Sequence, residues 1–182
     1  MEIEVKARLS DKKGVTERLT ALGCSFSEPK TQDDMVWVAQ VGTLETFLSN
    51  DSFFRVRVQN GSKVILTAKK PKAKTGHASL VKHEYEVVVD SAQEVRGILK
   101  LMGLAEAVRV VKVRRTAKYK EYEICIDEIE NLGDFIEMEK LGEEESAQNV
   151  QKEMLEFLAT LGISSEDVVK KGYDILMLEK NF

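Results

Sequence analysis

From Glu2 to Leu9 polar and apolar residues alternate one for one: Glu2, Glu4, Lys6 and Arg8 fall in one phase, Ile3, Val5, Ala7 and Leu9 in the other. Period-two alternation is the mark of a half-buried strand. The same pattern returns along the chain and predicts further strands at about Asp33–Gln40, Phe53–Gln59, Lys63–Lys70, Leu80–Val89, Val108–Thr116, Tyr119–Glu128 and Phe135–Lys140. Asn60-Gly61 predicts a tight hairpin, because both central residues of a type I′ turn need positive φ. Elsewhere the period becomes helical. Val15, Leu19 and Leu22 share a face, with Ser10 or Asp11 as N-cap and Gly23 as the stop. Ser91 can cap a helix carrying Val95, Ile98, Leu99 and Met102. A third helix carries Val150, Met154, Leu155, Leu158 and Leu161, and Ser164 or Ser165 can cap a last one with Val168, Val169, Leu176 and Leu178. Residues 41–52 read as a polar connection, Pro71–Ser79 as a lysine-rich mobile loop, and Asn131–Asp134 as a turn.

The Glu-x-Glu pairs Glu2/Glu4, Glu84/Glu86 and Glu137/Glu139 each lie on a predicted strand. Residues two apart on a strand point the same way, so each motif sets two carboxylates on one sheet face. The in-phase acids are Glu2, Glu4, Glu84, Glu86, Asp127, Glu137 and Glu139. The in-phase bases are Lys6, Arg8, Arg55, Arg57, Lys69, Lys82, Lys112 and Arg114. On a single strand this alternation only keeps a half-exposed surface soluble. Repeated in phase on strand after strand, with helices available to cover the apolar side, it points to a lined cavity. The fold class is therefore α+β: an eight-stranded antiparallel β-barrel, a tunnel with a charged lumen, and helices packed on the outside. No linker or composition shift divides residues 1–182, which read as a single domain.

Clustered carboxylates suit hard cations such as Mg²⁺ or Mn²⁺, and clustered Arg and Lys suit phosphate oxygens. A cavity lined by both suits a polyphosphate with its metals. The 182 residues are 43% hydrophobic and 32% charged, with a net charge of −4, which disfavours a nucleic-acid-coating role. The basic run from Lys69 to Lys82, with His77 inside it and His83 beyond, has no interleaved aromatics and reads as a lid or solvated loop. Cys24 and Cys125 lack metal-ligand spacing and read as free thiols. Trp37 reads as core, and Glu143–Glu145 as serving the following helix N-terminus. No apolar run is long enough for a bilayer and no signal peptide is visible, so no membrane association and a cytoplasmic location are expected.

Glu2-Ile-Glu4-Val-Lys6 resembles the ExExK signature of the CYTH superfamily, the triphosphate tunnel metalloenzymes. The similarity runs along nearly the whole chain. It takes in Arg55-Val-Arg57, Leu66-Thr67-Ala68-Lys69, Lys82-His-Glu84-Tyr-Glu86, Lys112-Val-Arg114-Arg115, and Asp127 through Glu139. Leu132-Gly-Asp-Phe-Ile-Glu-Met-Glu139 is most similar to the class IV adenylyl cyclase (CyaB-like) branch. The resemblance implies one CYTH domain over 1–182 and an eight-stranded antiparallel tunnel. It implies a Mg²⁺- or Mn²⁺-dependent enzyme that binds ATP or another triphosphate, as a monomer or homodimer. Glu2, Glu4 and Lys6 would be catalytic. Glu4, Asp127, Glu137 and Glu139 would hold metals, with Glu2 and Glu86 as further ligands. Lys6, Arg8, Arg55, Arg57, Lys69, Lys82, Lys112 and Arg114 would grip the triphosphate, and Lys171 and Tyr173 would stand at one tunnel mouth. The reaction implied is cyclisation of ATP to cyclic AMP and pyrophosphate. Hydrolysis of inorganic or thiamine triphosphate on the same tunnel is the alternative, and a non-catalytic nucleotide or polyphosphate binder the second. The chain departs from the family where Met35-Val36-Trp37, Ala68, Lys70 and Gly172 replace common residues, all outside the metal and phosphate set.

Overall fold

A computed structural model of the protein describes residues 2–71 and 82–181. The expected loop between Pro71 and Ser79, His77, the start of the fifth strand at Leu80 and the side chain of Lys82 lie outside that description. The elements run β1 (Glu2–Arg8), α1 (Lys12–Ala21), β2 (Lys30–Val38), α2 (Leu44–Leu48), β3 (Phe53–Gln59), β4 (Lys63–Pro71), β5 (Lys82–Val89), α3 (Ala92–Leu101), β6 (Ala105–Tyr119), β7 (Tyr122–Ile129), β8 (Gly133–Leu141), α4 (Ala147–Thr160) and α5 (Tyr173–Asn181). Among the described residues, eight strands form one sheet in the order β1-β8-β7-β6-β2-β3-β4-β5. The chain divides into two compact units, Met1–Pro29 with Val113–Lys170, and Lys30–Lys112 with Lys171–Phe182.

In the first unit the apolar phase of β1, β7 and β8 meets two helices. Ile3, Val5 and Ala7, Ile124 and Ile126, and Ile136 and Met138 pack with Val15 and Leu19 of α1 and with Val150, Met154 and Leu158 of α4. Asp11 caps α1, its carboxylate accepting from the Gly14 N–H at 2.9 Å. Burying each large aliphatic side chain of this set contributes about 1.5–3 kcal/mol. That apolar contact, set by the alternation, leaves the opposite phase to the charges.

In the second unit α3 covers the apolar phase of β2, β3 and β4: Val95 and Leu99 pack with Trp37, Val56 and Val64. Trp37 is fully buried there, as expected of a core residue. Ile98 and Met102, expected on the same helical face, are 56% and 65% exposed. Val95 and Leu99 make one i,i+4 row against the sheet, and Ile98 and Met102 make the neighbouring row that it does not reach. The β3–β4 turn has Asn60 at φ 50° and Gly61 at φ 71°, the left-handed pair that the sequence required.

Two segments differ from the sequence reading. Residues 41–52 contain α2, a five-residue helix capped by Thr43, too short to show a period. The expected last helix is split. Ser164 caps only a 3₁₀ turn at Ser165–Asp167. Val168 then bridges to Ala7, and the Val169 N–H donates to the Lys6 carbonyl at 2.8 Å. The backbone of β1 takes Val168 and Val169 out of the helix, which restarts at Tyr173. Of the acids at Glu143–Glu145, the last two enter a 3₁₀ turn, Glu144–Ser146, ahead of α4. In the second unit α2 and α5 also pack on Val36, Phe53 and Val108, and Val36 and Phe53 share the sheet face of Arg55 by register and strand alternation. No helix among the described residues is long and apolar enough to cross a membrane.

Candidate active site

The register of β1, β8 and β7 decides which charges meet in the first unit. Glu4 lies opposite Glu139, and Glu139 lies opposite Glu123 on its other side. One rung along, Lys6 faces Glu137, and Glu137 faces Cys125. Next, Arg8 faces Phe135, and Phe135 faces Asp127. The first rung is three carboxylates abreast, and like charges directly opposite are destabilising. The second and third rungs are balanced by cations.

Ligand oxygens of Glu2, Glu4 and Glu139 lie within 4.8 Å of one another, and so do those of Glu123 and Glu139 with the Cys125 sulfur. Burial, then the neighbouring Glu2 and Glu137 carboxylates, push the Glu139 carboxyl up to about 9, with Arg114 opposing. Burial likewise raises the Cys125 thiol well above its ordinary range, Arg114 again opposing. Three converging carboxylates are an oxygen donor set that fits a hard divalent cation.

Asp127 and Glu137 are engaged differently. Asp127 is fully buried and takes both arms of the Arg114 guanidinium, Nε at 2.7 Å and Nη2 at 2.5 Å. Arg114 Nη2 also donates to Glu137, and Lys6 Nζ lies 3.0 Å from the other oxygen of Glu137. Burial works against the Arg114 charge, but Glu137 and Asp127 outweigh it and hold the guanidinium well above its ordinary value. Arg8 donates to the Leu132 carbonyl at 3.3 Å and stacks 4.9 Å from the centre of the Phe135 ring. It is tied to the β7–β8 turn.

In the second unit Arg55, Thr67 and Glu86 form one rung across β3, β4 and β5. Arg55 Nη2 donates to Thr67 at 3.0 Å and to Glu86 at 2.8 Å, and the Thr67 hydroxyl donates to the same Glu86 oxygen at 2.9 Å. Burial opposes the Glu86 charge, but the Thr67 hydrogen bond and Arg55 outweigh it and hold the carboxyl below its ordinary range. Lys69 reaches Glu84 at 2.6 Å. Arg55 Nε is buried without a hydrogen-bond partner among the described residues. Arg57 is held by Asp34 through two bonds of 2.7 Å. Lys112 Nζ sits 5.1 Å from the centre of the buried Tyr173 ring, and exposed Lys171 pairs with Glu179 at 2.5 Å.

The structure thus brings Glu2, Glu4 and Glu139 together and gives Asp127 and Glu137 to Arg114 and Lys6. Glu86 belongs to the second unit. Three groups were not singled out from the sequence as site residues: Glu123, Cys125 and Asp34. Glu123 and Cys125 are in strand phase with Asp127, so alternation alone could have found them. Asp34 needed the β2–β3 register.

The sequence profile of the CYTH domain matches residues 1–173. A Methanocaldococcus jannaschii protein, provisionally named an adenylate cyclase, is 32% identical over 174 residues, 95% of this chain and 96% of its own. A solved protein of Pyrococcus horikoshii OT3 superposes with a TM-score of 0.81 at 27% identity, covering 99% of each chain. A Hippeastrum protein, described as an adenylyl cyclase candidate with a dominant triphosphatase activity, superposes at 0.63 with 21% identity over 100% of this chain and 96% of its own. The eight-stranded antiparallel arrangement with helices on its apolar face is that of these neighbours.

Proposed function

The chain belongs to the CYTH domain family, whose members are adenylyl cyclase-like or triphosphatase enzymes, and from that premise we propose a divalent-metal-dependent enzyme acting on a triphosphate, of the class IV adenylyl cyclase type. The observation that carries the reading is the convergence of Glu2, Glu4 and Glu139 within 4.8 Å, with Glu4 and Glu139 directly opposed in register. Mg²⁺ or Mn²⁺ held there supplies charge neutralisation and Lewis acidity to a phosphoryl group. Every other task falls to side chains. Glu2, Glu4 and Glu139 are the cation ligands. Lys6 and Arg114, both anchored by Glu137, present fixed positive charge to phosphate oxygens where charge develops in the transition state. In the second unit Arg55, whose Nε has no partner among the described residues, is proposed with Arg57, Lys69, Lys82 and Lys112 for phosphate contacts. Asp127 and Glu137, expected as metal ligands, are here assigned to hold Arg114 and Lys6. Arg8 is left to the β7–β8 turn, and Glu86 to Arg55 and Thr67. Tyr173, buried against Lys112, belongs with the basic set, and the cytoplasm is the proposed compartment.

Cyclisation requires the triphosphate to lie with its α-phosphorus facing the ribose hydroxyl. Hydrolysis requires the terminal phosphorus to face water. The second reading, a triphosphatase, is favoured by one observation: Trp37, the chain's one tryptophan, is fully buried in the α3 core and so is not offered to a base. Incubation with ATP, and separately with tripolyphosphate, each with Mn²⁺, separates the readings. Cyclic AMP with pyrophosphate is the expected product from ATP. Orthophosphate from tripolyphosphate without cyclic AMP supports the hydrolase, and metal-dependent binding with no product supports a binding protein.

A further inference from the structure

Asp34 lies on β2 directly opposite Arg57 on β3. The Arg57 Nε and Nη2 atoms donate to its two oxygens, each at 2.7 Å. The side chains are 6% and 11% exposed. A doubly bonded fork at this burial fixes both the position and the plane of a guanidinium. Arg55 is two residues away on the same strand and therefore on the same face, so the two guanidiniums repel. Burial opposes the Asp34 charge, but Arg57, then Arg55 and Lys112, outweigh it and keep the carboxyl below its ordinary range. One buried anion thus answers three bases of the second unit.

We propose that Asp34 is a positioning residue for triphosphate binding: it holds the Arg57 guanidinium in place on the face that also carries Arg55. The proposal rests on the triphosphate reading above. Its two physical effects on an anionic ligand have opposite sign. As a charge, Asp34 lowers the local positive potential and weakens binding. As an anchor, it removes the cost of ordering Arg57 and strengthens binding. Substitution reads out which effect governs.

The probe is diimidotriphosphate with Mg²⁺, a tripolyphosphate analogue whose P–N–P linkages resist hydrolysis, titrated calorimetrically into full-length protein. Circular dichroism fixes a temperature at which every variant is folded. Asp34→Asn keeps the shape and one acceptor but loses the charge. Positioning predicts affinity weakened by about tenfold or more. It predicts the same for Arg57→Lys, and little further loss in the double variant, because the two residues act as one device. Equal or tighter binding by Asp34→Asn overturns the proposal and leaves Asp34 a charge or a stability element. Should Asp34→Asn not fold, Asp34→Glu keeps the charge on an arm one methylene longer. Weakened affinity then supports positioning, and unchanged affinity overturns it. A wild type that does not bind the probe overturns the triphosphate reading itself, whereas a wild type that binds it as tightly as Asp34→Asn does overturns only the role of Asp34.

Discussion

Glu4 and Glu139 sit directly across from one another on the β1–β8 ladder, two carboxylates where a strand pair ordinarily places opposite charges or a charge and an apolar group. Glu2 joins them, and Glu123 flanks Glu139 on the other side. Without a cation this arrangement is a local liability. The liability makes it testable without any assay of activity.

Glu139→Gln removes one of the opposed charges at nearly constant shape. The folded carboxyl is pushed up from the ordinary 4.5 to about 9, by burial first and then by Glu2 and Glu137. Its contribution to stability is fully present below the unfolded value and is lost as pH rises through the folded one. At pH 8 in EDTA the variant should therefore melt several degrees above wild type, and at pH 4 the two should be nearly equal. Thermal melts at both pH values decide this; a variant less stable than wild type at pH 8 would count against a strained Glu139.

The same shift sets a pH dependence for cation binding. A divalent cation requires the ionised carboxylate, so binding near neutral pH releases the Glu139 proton. The rise in Tm caused by saturating Mn²⁺ should grow steadily from pH 6 to pH 9. A rise that is flat across this window is incompatible with Glu139 as a ligand.

Asp127→Asn cuts a fully buried fork to Arg114 and leaves an undercompensated guanidinium. Breaking one partner of a buried pair costs about 3–5 kcal/mol. Denaturant unfolding should show a loss of that order, while Mn²⁺ affinity of the folded variant changes little. A large drop in Mn²⁺ affinity at preserved stability would return Asp127 to the metal ligands.

Gly61→Ala tests the β3–β4 turn. At φ 71° a Cβ costs about 1–2 kcal/mol. Chemical denaturation should register that loss, and no loss would mean that the turn relaxes to another type.

What the sequence disclosed follows period and chemistry. Alternation located all eight described strands, because polar and apolar residues fall in opposite phases along them. Asp11 and Ser91 were legible as caps, each accepting from a backbone N–H three residues on. What escaped depends on register or on distant backbone. Alternation assigned Asp127, Glu137 and Glu139 to one face but could not reveal that Arg114 stands against the first two and Glu4 against the third. Val168 and Val169 carry helix-like spacing, yet pairing with β1 claims them. Ile98 is as apolar as Leu99, and only the reach of the sheet beneath α3 separates them.

The central claim is that Glu2, Glu4 and Glu139 form a divalent-cation site. Titration of Mn²⁺, followed by loss of the free-ion electron paramagnetic resonance signal, tests it directly in wild type and in the Glu4→Gln/Glu139→Gln double variant. The account predicts that wild type takes up Mn²⁺ and that the double variant, still folded, loses that uptake by about tenfold or more in affinity. Equal uptake by both proteins would contradict it.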